Sequence, residues 1–208
     1  MKTKLIGSLL IVSSFLFYSC GGGNSVKKNE TFGKIPSLVS NFMKSDSIHN
    51  AKAENDAKNL KLSDLKGYLE KFKKETDEAE AKLKADVKAE TAILKDKPVP
   101  FKVENENFEI KELKISDEEV NDGKGLKLPF KFTVKKPINL PPYSNGYTLK
   151  YKLMDKNGNM IGSEQQMTLI LGENYDTKVV QPGKEVTGDI YLSMKKPAMA
   201  DFKEIVFY

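Results

Sequence analysis

His49 is the one histidine in 208 residues and Cys20 the one cysteine, so acid–base, nucleophilic or metal chemistry has few side chains to draw on. A hydrolytic triad needs an imidazole held between a nucleophile and a carboxylate, and a zinc site needs several nitrogen or sulfur ligands. His49 lies between Ile48 and Asn50 in a polar stretch, so the expectation is an exposed residue linking two helices. Carboxylates are numerous, yet their pattern puts nearly all of them on solvent-facing strand positions or on a helix surface, and no glycosidase-type pair stands out. Asp117-Glu118-Glu119-Val120-Asn121-Asp122-Gly123 could offer alternate acidic side chains to calcium. A calcium-binding helix-loop-helix wants glycine at the sixth position and glutamate at the twelfth, where Asp122 and Leu128 stand, so a solvated turn between strands is expected. The sequence has no phosphate-binding glycine loop, nucleophile elbow or dinucleotide fingerprint. It therefore implies no catalytic residues, no cofactor and no metal.

Binding is the remaining chemistry, and two stretches could carry it. In the first, Pro137 to Tyr147, Leu140, Tyr143 and Tyr147 sit in a connection stiffened by Pro141 and Pro142. Prolines lower the ordering cost of binding, so this is a candidate binding loop; the plainer expectation is that Leu140 and Tyr143 cap the end of a sheet pair. The second is a seam of apolar residues three and four apart: Leu62, Leu65, Leu69, Phe72, Thr76, Ala79 and Leu83, broken at Asp86. This is a heptad pattern over three repeats, and the charged residues between its members form a solvated face.

The elements that position these residues follow from periodicity. Residues 35–97 read as helical and 98–208 as strands and turns, with Pro98 and Pro100 at the junction. Ile35, Leu38, Val39, Phe42 and Met43 give a short first helix of about ten residues, which Ser45, Asp46, Ser47 and Asn50 are expected to end. A helix that short covers only about two turns of the seam. The long helix either folds back on the preceding segment as a hairpin or stands as a stalk that pairs with another chain. Beyond Pro100, Leu126, Leu128, Phe130, Phe132 and Val134 alternate with polar residues, and Leu149, Tyr151 and Leu153 repeat the pattern. Lys156-Asn157-Gly158-Asn159 reads as a type I′ hairpin turn. About seven strands are expected, apolar on one face, so two sheets must pack together. The fold class is α+β.

Composition narrows the partners. All 34 basic residues are lysines, and arginine supplies the bidentate fork that reads phosphate and guanine edges, so nucleic acid is not an expected partner. There is no tryptophan for a sugar-stacking platform.

The first twenty residues are a targeting segment. Lys2 and Lys4 precede an apolar run from Leu5 to Phe17 that is too short to span a bilayer, and Ser19-Cys20-Gly21-Gly22-Gly23 follows. This resembles the lipobox of bacterial lipoproteins. The resemblance implies cleavage before Cys20, acyl chains on its sulfur and new amino group, and a membrane partner through that anchor. Several acyl chains hold a protein stably where one does not. Residues 1–19 are then the signal peptide and 20–34 a lipidated flexible tether poor in apolar residues. Without Lys2 and Lys4, 32 lysines face 29 carboxylates, a net charge of +3.

The run Gln181-Pro182-Gly183-Lys184-Glu185-Val186-Thr187-Gly188-Asp189-Ile190-Tyr191-Leu192, with a last strand ending in Ile205-Val206-Phe207, resembles the immunoglobulin-like domains of secreted Bacteroidota lipoproteins. Asp46-Ser47-Ile48 resembles the short acceptor for O-glycosylation of exported proteins in that group, which would place a glycan on Ser47. These resemblances imply a non-enzymatic envelope lipoprotein, an interaction or scaffold module whose helical stalk lifts the sandwich off the membrane. It would engage an envelope protein or a second copy through the helix. The alternatives are a solute- or glycan-binding protein that uses the sandwich loops, and an inhibitor or accessory subunit of an envelope enzyme. The tether lacks the acidic run common just after the cysteine of surface lipoproteins in that group, so the expected placement faces the periplasm.

Overall fold

A computed structural model describes residues 28–208, so Cys20, the apolar run and most of the tether lie outside the described residues. Two helices come first: α1 spans Ile35–Lys58 and α2 spans Leu62–Leu94. They form an antiparallel hairpin joined by Asn59, Leu60 and Lys61. Ten strands follow among the described residues, giving a mixed α+β chain.

The first helix is 24 residues long and does not end at Ser45–Asn50. Neither Pro nor Gly occurs between Pro36 and Gly67, so the polar run weakens the helix without stopping it. Pro36 sits in the first turn, where its missing N–H costs nothing. Asp64 in the first turn of α2 favours the positive end of the helix dipole. The second helix stops ahead of Pro98, with Asp96 at φ 61°.

The strands are β1 (Phe101–Val103), β2 (Phe108–Leu113), β3 (Glu119–Val120), β4 (Gly125–Val134), β5 (Ile138–Asn139), β6 (Gly146–Asp155), β7 (Gln165–Ile170), β8 (Val179–Val180), β9 (Glu185–Ser193) and β10 (Phe202–Phe207). One sheet has the order β1-β10-β6-β7, with β1 parallel to β10. In the other, β4 pairs with β2 and β3 and also with β9, while β5 and β8 form a two-stranded ribbon. The count exceeds the expected seven because β3, β5 and β8 are two-residue strands that leave no periodic signature. Leu126, Leu128, Phe130, Phe132 and Val134 are all buried on one face of β4. Rings meet between the sheets: Phe130 lies 6.5 Å from Phe207, and Phe108 lies 5.0 Å from Tyr147. After β6, Gly158 takes a left-handed φ but Asn157 does not, so the turn is not type I′. The Asp155 carboxylate organises it instead by accepting from the backbone N–H of Asn157 and of Asn159.

Residues 29–33 are not free tether. Asn29 is buried, and its Nδ2 donates to the carbonyls of Ala200 (3.2 Å) and Phe202 (3.0 Å). Its Oδ1 accepts from the backbone N–H of Thr31 and Phe32, both at 2.9 Å. Phe32 is wholly buried with its ring 4.6 Å from Phe202. Gly33 closes the turn at φ 56°, where an added Cβ would meet the Glu90 carboxylate. Glu90 also accepts from the N–H of Lys34 at 3.0 Å. The incoming chain is thus fastened where the helices meet the sheets.

Candidate functional site

The hairpin divides into a root and an arm. Buried residues of α1 end at Phe42 and those of α2 begin at Leu83; none of residues 43–82 is buried. Leu83, Val87, Thr91 and Leu94 form the root stripe of α2, part of one hydrophobic core that runs on into the sheets. Leu62, Leu69, Thr76 and Leu83 are spaced by seven and lie on one side of α2. Exposure falls along them from 87 % at Leu62 to 50 % at Leu69 and 5 % at Leu83. The stripe that is buried at the root therefore continues up the arm, half-buried at Thr76 and exposed at Leu69 and Leu62 among the described residues. Of the expected seam, Leu65 and Phe72 are half-buried, and only Leu83 is fully covered.

Rings and polar groups hold the arm together more than leucines do. The His49 ring stacks on Phe72 with centroids 4.5 Å apart and an interplanar angle of 12°. His49 Nε2 stands 3.7 Å from a Glu75 carboxylate oxygen, and Lys71 approaches the other oxygen at 3.8 Å. His49 is thus a helix-to-helix contact in the middle of α1, not a linker residue. The Tyr68 hydroxyl donates to Asp56 at 3.2 Å. Burial, and then the Asp56 charge, push its pKa upward. Ser47 is exposed on α1, a helical position instead of the linker expected for it. Where arm meets root, a groove of about 190 Å³ is lined by Leu38, Asn41, Phe42, Ala79, Lys82 and Leu83.

The acidic loop is a clasp between the sheets and α2. Lys84 reaches Asp122 at 3.0 Å and Glu119 at 3.7 Å, Lys95 reaches Asp117 at 2.7 Å, and Lys127 reaches Glu118 at 2.5 Å. Hydrogen bonds from Lys84 and Lys95 hold the Asp122 and Asp117 carboxyls below the usual range. Lys124 completes the clasp, 2.8 Å from Glu80 and 5.0 Å from the Phe42 ring centroid. Asn121, Asp122 and Gly123 are all left-handed, and a Cβ on Gly123 would stand 3.1 Å from the Lys84 Cα. Each acidic side chain of the loop has a lysine. No three His, Cys, Asp or Glu side chains converge as a metal cluster among the described residues.

The proline-stiffened loop splits in two. Leu140 is buried, and its N–H donates to the Lys178 carbonyl at 2.9 Å. Tyr147 packs on Phe108 and accepts from Asn105 at 3.3 Å. Tyr143 does not cap the sheets: it is 91 % exposed at φ 58°. Tyr175, also exposed, sits on the neighbouring loop, which is tied across by Leu171 and Gly172 donating to the Asn145 carbonyl.

Sequence reasoning missed Asn29. Its signal was the spacing of Asn29, Phe32, Gly33 and Ile35, a turn with two apolar residues inside a stretch otherwise poor in them. No family model matches the chain, and no curated protein or solved structure does either.

Proposed function

We propose that the chain is a lipid-anchored protein of the bacterial cell envelope, without catalytic activity of its own, that presents the two-helix arm to a protein partner. The observation that carries this is the fastening of Asn29 and Phe32 beside the start of α1. It revises the stalk reading. An anchor on Cys20 arrives at the junction of helices and sheets, so the hairpin does not stand between the membrane and the sheets. The eight residue-to-residue steps from Cys20 to Lys28 reach at most about 29 Å when fully extended. The 24 residues of α1 rise about 36 Å from the same junction. The arm can therefore reach farther than the tether holds the body, and its outer half carries the uncovered Leu62 and Leu69.

The immunoglobulin-like reading of the strand region is part of this proposal. The crossings from β4 to β6, from β7 to β9 and from β9 to β10, each passing from one sheet to the other, support it. Such a region supplies a rigid base and implies no reaction. The periplasm-facing placement rests on the stretch just after Cys20, residues 21–28, which carries two lysines and no carboxylate. The solute- or glycan-binding alternative has one observation in its favour, the exposed and left-handed Tyr143.

Cys20→Ser tests the anchor. The account expects loss of lipid labelling, release from the membrane fraction, and resistance of the wild type to protease added to intact cells. Membrane partition that survives the substitution contradicts it.

A further inference from the structure

Strand β9 has nine residues and pairs with β4 along its full length, from Gly125↔Ser193 to Thr133↔Glu185, without a register shift. No strand pairs with its other side among the described residues. The backbone direction is set at both ends of the ladder. The Lys184 carbonyl accepts from the N–H of Val134, and the N–H of Met194 donates to the Lys124 carbonyl, both at 2.9 Å. Backbone groups alternate sides along a strand, so even-numbered residues address β4 and the odd-numbered residues 185–193 point outward. Among the described residues no backbone hydrogen bond from another segment reaches those outward groups.

The other sheet edges are shorter or blunted. β1 has three residues and follows Pro100, β2 carries a register shift against β4, and β3 has two residues. β7 has six residues. A long, regular, unpaired edge is a template for another strand, and proteins that do not use one normally break it with a bulge, a proline or a short length.

We propose that two copies of the chain join β9 to β9, antiparallel, across a two-fold axis through Ile190. A second copy is the occupant because one register lets the strand complement itself over most of its length. Pairing about Leu192 also opposes Asp189 to Lys195, two residues past the end of β9, but overlaps only residues 191–193 of the strand. Pairing about Ile190 sets Glu185 opposite Lys195 of the second copy at both ends, Thr187 opposite Ser193, and Asp189 opposite Tyr191. It keeps the buried Ile190 and Leu192 on the core face of both copies. Pairing about Asp189 would oppose two carboxylates, and pairing about Thr187 would oppose Glu185 to Asp189. Pairing about Gly188 or Tyr191 gives no charge pair. Lys195 makes no ion pair among the described residues, and Glu185, which Lys131 holds at 2.7 Å and Lys111 at 3.1 Å within its own copy, would share its carboxylate with Lys195 of the other. Lys184, which this register brings toward Lys196, already faces Glu173 at 3.8 Å. This inference is independent of the lipid anchor and of the arm.

Sedimentation equilibrium of the full chain in density-matched detergent tests it. The wild type should sediment at twice the mass of one chain. Lys195→Glu should weaken the dimer at least ten-fold by opposing two carboxylates. Glu185→Lys combined with Lys195→Glu should restore it. Thr187→Pro, which removes an outward N–H and leaves the β4 ladder intact, should give a folded monomer with unchanged circular dichroism. If Thr187→Pro unfolds the chain, the charge exchange decides alone. A wild type that is monomeric up to its solubility limit, or a dimer indifferent to Lys195→Glu, overturns the proposal.

Discussion

Asn29 and Phe202 lie 173 residues apart in the chain and are joined by one hydrogen bond, from Asn29 Nδ2 to the Phe202 carbonyl at 3.0 Å. With the bond to Ala200 and the two that Asn29 accepts, one buried side chain ties the entry of the chain to its last strand. Asn29→Ala strands two carbonyls and two N–H groups. It should cost about 2–3 kcal/mol and lower the melting temperature by roughly 4–12 °C. Asn29→Asp keeps the acceptor and loses the donor, so it should fall between. An unchanged melting curve for Asn29→Ala would mean that the fastening contributes nothing.

Root and arm should separate by mutation. Leu83→Ala removes a buried side chain and should cost about 2–4 kcal/mol in urea unfolding. Leu69→Ala, half-exposed on the same stripe, should cost about 1 kcal/mol or less. Equal losses would show that the arm stripe is covered in solution.

The last residue gives a spectroscopic signature. The Tyr208 hydroxyl donates to Glu164, and Glu164 also meets Lys150 at 3.0 Å. The Glu164 carboxylate raises the Tyr208 pKa to about 12, and the Tyr208 and Lys150 contacts lower that of Glu164. For Tyr208 the folded value lies above the unfolded one. Its stabilising contribution is therefore fully present below pH 10 and is lost as pH rises toward 12. For Glu164 the folded value is depressed, so its contribution is present above the ordinary glutamate range and is lost as pH falls below it. Absorbance titration should show a tyrosine ionising near pH 12 that moves down in Glu164→Gln. An identical titration for the two proteins rules the contact out.

The order of helices then strands, and the buried face of β4, were legible because both rest on periodicity over ten or more residues. The continuous length of α1 was not. Ser45, Asp46, Ser47 and Asn50 are poor helix formers, but a partner helix holding His49 against Phe72 outweighs their preference. The seam was legible as a stripe but not in its coverage: whether Leu62 and Leu69 are covered depends on how far the sheets extend along the hairpin, which no local pattern encodes. Tyr143 read as a cap because it is aromatic and lies between apolar neighbours; its left-handed φ turns it outward instead. The acidic loop read as a solvated turn and its carboxylates are exposed; their pairing with Lys84 and Lys95, distant in sequence, was what no local pattern encoded.

Photocrosslinking from the arm in the native envelope tests the central claim most directly. A photoreactive residue replaces Leu69 in the full-length chain, and in parallel chains Leu62, Lys88 or Tyr143. The account predicts one discrete protein adduct from positions 62 and 69, none from the exposed Lys88 at the root, and loss of the position 69 adduct when Leu62→Asp is added. Adducts from Tyr143 with none from Leu62 or Leu69 would contradict it and move the binding surface to the loop end.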